Sequence, residues 1–141
     1  MKKMNHGSGV LMPCLLVISI LTSCRKDVIT TSSSAKLSFS TDTLTFDTVF
    51  TTLGSTTLYF TVYNTNDQKI SISDVHLAGG AQSIFRLNID GQQVDQASEV
   101  EIPAHDSVYI FVSVTVDPTS ENNPYVLYDS VIFQTNGNEQ R

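Results

Sequence analysis

Few residues in this chain are of types that perform chemistry, and their spacing does not favour a reactive site. His76 lies in a strand-like segment and His105 in a turn, and neither has the paired spacing of a histidine metal motif. Ser107 follows Asp106 directly, whereas the members of a catalytic triad are neighbours in space rather than in sequence. No Gly-x-Ser-x-Gly elbow occurs. We therefore interpret both histidines as polar surface or turn residues and predict no enzymatic activity.

Motifs for metals and cofactors are equally weak. Four acidic residues near expected turns have oxygen atoms suited to calcium, namely Asp42, Asp47, Asp117 and Glu121. Plain turn chemistry is the favoured interpretation of these segments, and no EF-hand pattern occurs. Gly79-Gly80 lacks the spacing and the following helix of a phosphate-binding loop. Both cysteines, Cys14 and Cys24, fall in the first 24 residues, so no later pair can bridge a core or bind zinc. We expect no metal and no cofactor.

Cys24 has a more specific context. A basic start, Met1 to Lys3, precedes an apolar run from Val10 to Leu21, which is the pattern of a signal peptide. This run of about twelve residues falls short of the roughly 20 that a spanning helix needs. The segment Leu21-Thr22-Ser23-Cys24 resembles the bacterial lipobox, in which the cysteine is lipidated and becomes the new N-terminus. The sequence therefore predicts a lipoprotein signal peptide over residues 1–23 and a membrane anchor on Cys24.

Length and charge limit the remaining classes. With 141 residues, 40% hydrophobic and 16% charged, the chain suits a single small globular domain. Eight Lys and Arg against fourteen Asp and Glu give a net charge of −6, whereas binding to a nucleic-acid backbone needs clustered Lys and Arg. We therefore exclude nucleic acid as a partner. The expected partners are the membrane, through the lipid on Cys24, and another protein or a donated strand.

From Leu37 onward, apolar and polar residues alternate in short segments that predict β-strands. Val108 to Val116 is the strongest of them and is expected to be a central strand. Turn sequences such as Asn136-Gly137 separate the segments, and no window keeps a helical period. Before them, a Ser- and Thr-rich stretch predicts a flexible tether over residues 24–36. We expect an all-β protein with an immunoglobulin-like antiparallel β-sandwich of seven or eight strands over residues 37–141.

Several of these segments together carry a family resemblance. They are, in order, 44–50 (LTFDTVF), 62–64 (VYN), 77–80 (LAGG), 85–91 (FRLNIDG), 102–107 (IPAHDS), 116–118 (VDP) and 132–137 (IFQTNG). Over about residues 37–138 the chain resembles the leading domain of uncharacterised Bacteroidota-type surface lipoproteins. That domain is similar to immunoglobulin-like modules of the abnormal-spindle and hydin type, which are related to the major sperm protein fold. The resemblance implies an architectural or interaction role with no catalytic residues.

The C-terminus departs from this pattern. In such domains the turn at residues 135–138 leads into a last apolar strand, whereas here Glu139, Gln140 and Arg141 follow. The resemblance therefore predicts a sandwich that lacks its last strand, either as a fragment of a longer lipoprotein or as a product with one strand missing. An open strand slot exposes unpaired backbone groups and could accept a strand from another chain.

A triplet of Asp, then Ser or Thr, then an aliphatic residue occurs four times. The triplets begin at Asp42, Asp47, Asp106 and Asp129. They resemble the O-glycosylation sequon of the same bacterial group, which would make Thr43, Thr48, Ser107 and Ser130 the acceptors. Turn chemistry before a strand produces the same pattern, so both interpretations stay open. A glycan would add hydrophilic bulk to the domain.

These features favour a lipid-anchored protein of the bacterial outer membrane, periplasmic or surface-exposed, whose immunoglobulin-like domain is a non-enzymatic interaction or spacer module. Two alternatives stay open: a fimbria-like subunit completed by a donated strand, and a glycan-binding accessory domain. Glycan binding usually needs exposed aromatic side chains. The chain has no Trp, and most of its tyrosines are expected to flank the core; these are Tyr59, Tyr63, Tyr109, Tyr125 and Tyr128.

Overall fold

The computed structural model of the protein describes residues 28–47, 57–114 and 126–141. The predicted signal peptide, Cys24 and Thr48 lie outside these ranges. Within them the chain forms one three-residue 3-10 turn, Gly80–Gln82, and eleven strands. The strands are β1 (Ser38–Phe39), β2 (Leu58–Tyr63), β3 (Ile70–Ile72), β4 (Asp74–Leu77), β5 (Phe85–Ile89), β6 (Gln92–Val94), β7 (Gln96–Ala97), β8 (Val100–Ile102), β9 (Ser107–Val114), β10 (Val131–Thr135) and β11 (Asn138–Gln140). None of the described segments is a helix with the length and apolar character that a membrane crossing requires.

The larger sheet is built around β9. Burial alternates along this strand because successive side chains of an extended backbone point to opposite faces. β2 pairs with β9 over six residues, from Leu58 opposite Val112 to Tyr63 opposite Ser107. β5 pairs with the other edge of β9, and the full order is β1-β2-β9-β5-β6. β9 is thus the central strand expected from Val108 to Val116, and its predicted end lies beyond the described residues.

The second sheet has the order β11-β10-β4-β7, and β3 and β8 form a separate pair. The core lies between the sheets. Phe133 of β10 is 1% exposed and packs against Phe60 of β2, with ring centroids 6.2 Å apart, and against Phe39 of β1 at 5.2 Å. Every strand pair in residues 28–47, 57–114 and 126–141 is antiparallel, and the two sheets enclose one core, so the protein is an all-β sandwich, which confirms the predicted fold class.

The described residues contain eleven strands where the sequence predicted seven or eight. The segment Gln92–Ile102 accounts for much of the difference because it forms three strands of two or three residues, β6, β7 and β8. This segment has no regular apolar alternation, since polar residues such as Gln92, Gln93 and Gln96 interrupt it. These residues are extended because they pair with neighbouring strands, and not because their own sequence alternates between apolar and polar residues.

The structure differs from the predicted flexible tether over residues 28–36. Ile29 forms a parallel bridge with Lys69, and the backbone N–H of Thr30 donates to the Lys69 carbonyl at 2.8 Å. Further along, Ala35 and Leu37 are buried in the core. We call residues 28–37 the N-terminal strap. Its Ser and Thr residues predicted a mobile linker, but two apolar side chains and its backbone bonds fix it to the sandwich.

The C-terminal hairpin holds the same strap. Strand β11 pairs with β10, and the side-chain amide of Gln140 bonds to both the backbone N–H and the carbonyl of Leu37, at 2.9 and 3.0 Å. Asn138 donates to the carbonyl of Ser33 at 2.8 Å. The turn at residues 135–138 thus leads into a short polar strand, and β10 has β4 and β11 as partners on its two edges. That the sandwich lacks a last apolar strand stays a prediction.

Candidate binding surface

The outer face of the larger sheet carries a group of aromatic and polar side chains. In β2 and β9, the aliphatic and Phe60 side chains point into the core, so the intervening residues point outward. The outward positions of the three central strands are Tyr59, Thr61 and Tyr63 in β2, Ser107, Tyr109, Phe111 and Ser113 in β9, and Arg86 and Asn88 in β5. This face combines aromatic rings with small hydroxyl, amide and guanidinium groups.

Three aromatic rings form one cluster at the centre of this face, which we call the aromatic face: Tyr59, Tyr109 and Phe111. The Tyr59 ring centroid lies 5.8 Å from that of Tyr109 and 5.8 Å from that of Phe111. Tyr109 and Phe111 are stacked, with centroids 6.4 Å apart and an interplanar angle of 29°. Tyr59 is 58% exposed and Tyr109 is 51% exposed. Cross-strand pairing thus collects three rings into one patch, in which both tyrosines are exposed and Phe111 is half-buried.

The expectation that most tyrosines flank the core is wrong for those that the structure describes. Tyr59, Tyr63, Tyr109 and Tyr128 all rank as exposed, Tyr128 at 88%, and Tyr125 lies outside the described residues. The physical reason is register, because each tyrosine of β2 and β9 alternates with a buried aliphatic or Phe residue. The alternation of apolar and polar residues that predicted β2 and β9 therefore also indicates that their tyrosines point outward.

Polar side chains extend the face across β5 and β6. Asn88 lies directly opposite Phe111 on one side and Gln93 on the other, so Tyr59, Phe111, Asn88 and Gln93 form one row across four strands. The side-chain oxygen of Asn88 is buried and has no hydrogen-bond partner among the described residues. An unpaired buried acceptor is unfavourable because it has lost its water without gaining a donor.

The one charged residue at these outward positions is Arg86. Its guanidinium donates to the carbonyls of Ser83 and Phe85 at 2.6 and 2.7 Å, and lies 3.9 Å from the carboxylate of Asp95. The positive charge is therefore held at the end of the sheet by local partners. The centre of the face, around the aromatic rings, is electrically neutral.

The two histidines each pair with a carboxylate, at separate places. His76 Nδ1 lies 2.5 Å from Asp74 Oδ2 on β4, and Gln96 donates to the other oxygen of Asp74. His105 Nε2 lies 2.9 Å from Asp67 in an exposed turn. Within the described ranges, no group of three His, Cys, Asp or Glu residues is placed to hold a metal ion. Of the four acidic residues considered for calcium, Asp42 and Asp47 are exposed, and Asp117 and Glu121 fall outside those ranges.

Two of the four Asp-Ser/Thr triplets have a structural function. Asp106 accepts a hydrogen bond from the backbone N–H of Ser107 at 2.7 Å. Asp129 accepts bonds from the backbone N–H groups of Ser130 and Gly79 and from the hydroxyl of Ser83. A Cβ at Gly79 would lie 2.9 Å from Asp129 Oδ2, so a larger residue here would displace the Asp129 carboxylate. Turn chemistry therefore explains these two triplets without a glycan.

The potential glycan acceptors differ in accessibility. Thr43 is exposed, whereas Ser107 and Ser130 are half-buried at the starts of their strands. Thr48 lies outside the described residues. Glycosylation stays a prediction for all four, and Thr43 has the most open surroundings of the three that are described.

Comparisons with known proteins give no relative. No protein-family model, curated protein or solved structure matches the chain.

Asn88→Val is expected to stabilise the domain by about 0.5–1 kcal/mol. The substitution removes an unpaired buried oxygen from a strand position and introduces a β-branched residue that strands favour. Urea unfolding of the two proteins measures the difference. Asn88→Ala is the control, because it removes the same amide without the gain in strand propensity. A loss of stability in both variants would mean that the Asn88 oxygen has a partner that its surroundings do not reveal.

Proposed function

We propose that this chain is a lipid-anchored protein of the bacterial cell envelope, whose β-sandwich is a non-enzymatic interaction module with the aromatic face as its binding surface. The observation that carries the binding part is the exposure of Tyr59 and Tyr109 beside Phe111 on a rigid sheet. The anchor part rests on the lipobox-like segment that ends at Cys24.

The composition of the face supports a binding role. Tyrosine offers a large contact area with few rotatable bonds, and Ser and Asn offer hydrogen bonds that adapt to a partner. Tyr59, Tyr109, Ser113 and Asn88 occupy such positions on adjacent strands. Because these strands also form the core, the side chains are held in place before any partner arrives, which lowers the entropic cost of binding.

The docked N-terminal strap supports a short connection between the proposed anchor and the domain. Four residues lie between Cys24 and Ile29, the first residue that pairs with the sandwich, so the chain makes five residue steps from one to the other. At about 3.5 Å per extended residue, this stretch spans at most about 18 Å. A tether that ran to residue 36 would have allowed more than twice that distance. The docked strap therefore supports a module that works near the membrane surface.

Of the two alternatives, glycan binding gains support from the aromatic face. Strand donation gains none from the described residues, because β10 is paired on both edges and the strap lies along β11. We therefore retain interaction through the aromatic face as the proposed function.

Cys24→Ser is expected to move the protein from the membrane fraction to the aqueous phase. Serine cannot form the thioether that holds the lipid, so the variant loses its hydrophobic anchor. Detergent phase partition of cell extracts measures the shift, and Cys14→Ser is the matched control that should stay with the detergent. The anchor proposal fails when the Cys24→Ser protein partitions like the unsubstituted chain.

The binding part is tested with the chain carrying Cys24→Ser, so that no lipid holds it on a membrane, and with washed cell envelopes from which the protein's own copies have been removed. We expect Tyr59→Thr combined with Tyr109→Thr to reduce retention on the envelopes about tenfold or more, because exposed aromatic residues are frequent binding hot spots. Tyr128→Thr is the control, since Tyr128 is 88% exposed and lies outside the aromatic face. Equal retention of all three proteins would overturn the proposed binding surface.

A further inference from the structure

We propose that the ligand of the aromatic face is a neutral carbohydrate chain. This inference rests on the proposed function, since it names the class of ligand for the same surface. Four features of the surface lead to it: ring geometry, the polar groups in line with the rings, charge, and the absence of aliphatic side chains from the outward positions.

The ring geometry suits the flat, C–H-lined face of a sugar. Tyr109 and Phe111 are stacked at an interplanar angle of 29°, and Tyr59 lies 5.8 Å from each of them. The face of an aromatic ring is the negative pole of its quadrupole, so it attracts the weakly positive C–H groups of a sugar ring. Two neighbouring strands thus present adjoining ring platforms at about the 4.8 Å strand spacing.

Hydrogen-bonding groups lie in the same rows as the rings. Asn88 and Gln93 continue the row of Tyr59 and Phe111, and Ser113 lies on β9 two residues beyond Phe111. Amides and hydroxyls both donate and accept, which matches the hydroxyl groups at the edge of a sugar. The unpaired oxygen of Asn88 gains a donor when its amide turns toward a ligand hydroxyl, and the terminal torsion of Asn has a broad range.

The charge of the face favours an uncharged ligand. The chain has a net charge of −6, yet the outward positions of β2, β5 and β9 include one charged side chain, Arg86, which is occupied by two carbonyls. An anionic polymer would meet an acidic protein whose one outward cation, Arg86, lies 3.9 Å from the Asp95 carboxylate and away from the ring cluster. A basic ligand would find no carboxylate at the ring cluster. Charge complementarity therefore selects a neutral, hydroxyl-rich molecule.

The same outward positions include no aliphatic side chain. The buried core of a protein–protein interface is more apolar than its rim, whereas each ring here adjoins a hydroxyl or an amide. This distribution favours a sugar over an apolar protein surface.

The experiment is native affinity electrophoresis of the full chain in detergent, with xylan, galactomannan and hydroxyethylcellulose as neutral probes and polygalacturonate as the anionic probe. We expect retardation by at least one neutral polysaccharide and none by polygalacturonate. Tyr59→Thr with Tyr109→Thr should weaken the retardation about tenfold or more, and Tyr128→Thr should leave it unchanged. Circular dichroism of each variant verifies that it is folded.

Two results would overturn the inference: no retardation by any neutral polysaccharide, or retardation that the Tyr59 and Tyr109 substitutions leave unchanged. If no neutral polysaccharide retards the protein but envelope retention still depends on Tyr59 and Tyr109, the proposed ligand class is wrong. The proposed binding surface then stands, with a protein as its partner. If neither sugar binding nor envelope retention depends on these residues, the proposed function fails as well.

Discussion

Phe133→Ala is expected to lower the free energy of unfolding by about 3–5 kcal/mol, the usual cost of truncating a fully buried Phe. Phe133 is 1% exposed, and its ring packs against Phe39 and Phe60 of the opposite sheet. Its removal leaves a cavity where the two sheets pack together. The backbone hydrogen bonds of each sheet hold the strands in place, so this cavity does not collapse. Urea unfolding followed by circular dichroism measures the loss.

Phe111→Ala is the matched control for this prediction. It removes the same side chain from β9, but from the outward face, where the aromatic neighbours of the ring among the described residues are Tyr59 and Tyr109. Cross-strand aromatic pairs contribute roughly 0.2–1 kcal/mol each, so the expected cost is under half that of Phe133→Ala. Equal losses would mean that the aromatic face is part of the folding core and would remove the reason to treat it as a binding surface.

Asn64→Ala is expected to cost about 3 kcal/mol or more, because three backbone carbonyls, one buried and two partly buried, lose their donor at once. Asn64 is 1% exposed at the end of β2. Its amide nitrogen lies 2.8 Å from the carbonyl of Gln68, 3.0 Å from that of Ile102 and 2.9 Å from that of Pro103. One side chain therefore joins β2, the following loop and the end of β8.

The control for Asn64 is Asn138→Ala. Asn138 makes one exposed hydrogen bond, to the carbonyl of Ser33, so its loss should cost about 1 kcal/mol or less. Thermal unfolding of both variants gives the comparison. A loss for Asn64→Ala no larger than that for Asn138→Ala would show that water replaces the buried amide, which contradicts the role assigned to it.

The sequence predicted the central strands well because β2 and β9 alternate without interruption. Tyr109, Phe111 and their inward neighbours Ile110 and Val112 have the period of two that sets the two faces apart. Periodicity alone does not tell which rings meet across strands. The contact between Tyr59 and Phe111 depends on a register between segments about 50 residues apart.

The N-terminal strap shows a second limit of sequence reasoning. A Ser- and Thr-rich stretch is typical of a linker. Here Gln140 holds the backbone of Leu37 from 103 positions away, and Ala35 is buried in the core. Contacts this distant leave no local pattern, and neither the strap nor the polar strand β11 could be predicted from composition.

The most direct test of the aromatic face is hydroxyl-radical footprinting of the protein in intact envelopes, compared with the purified chain and read by mass spectrometry. We expect Tyr59 and Tyr109 to be modified several-fold less in the envelope, because a ligand covers rings that are more than half exposed in the isolated domain. Tyr128 should be modified equally in both samples. Equal modification of Tyr59 and Tyr109 in both samples would contradict the assignment of this face as the binding surface.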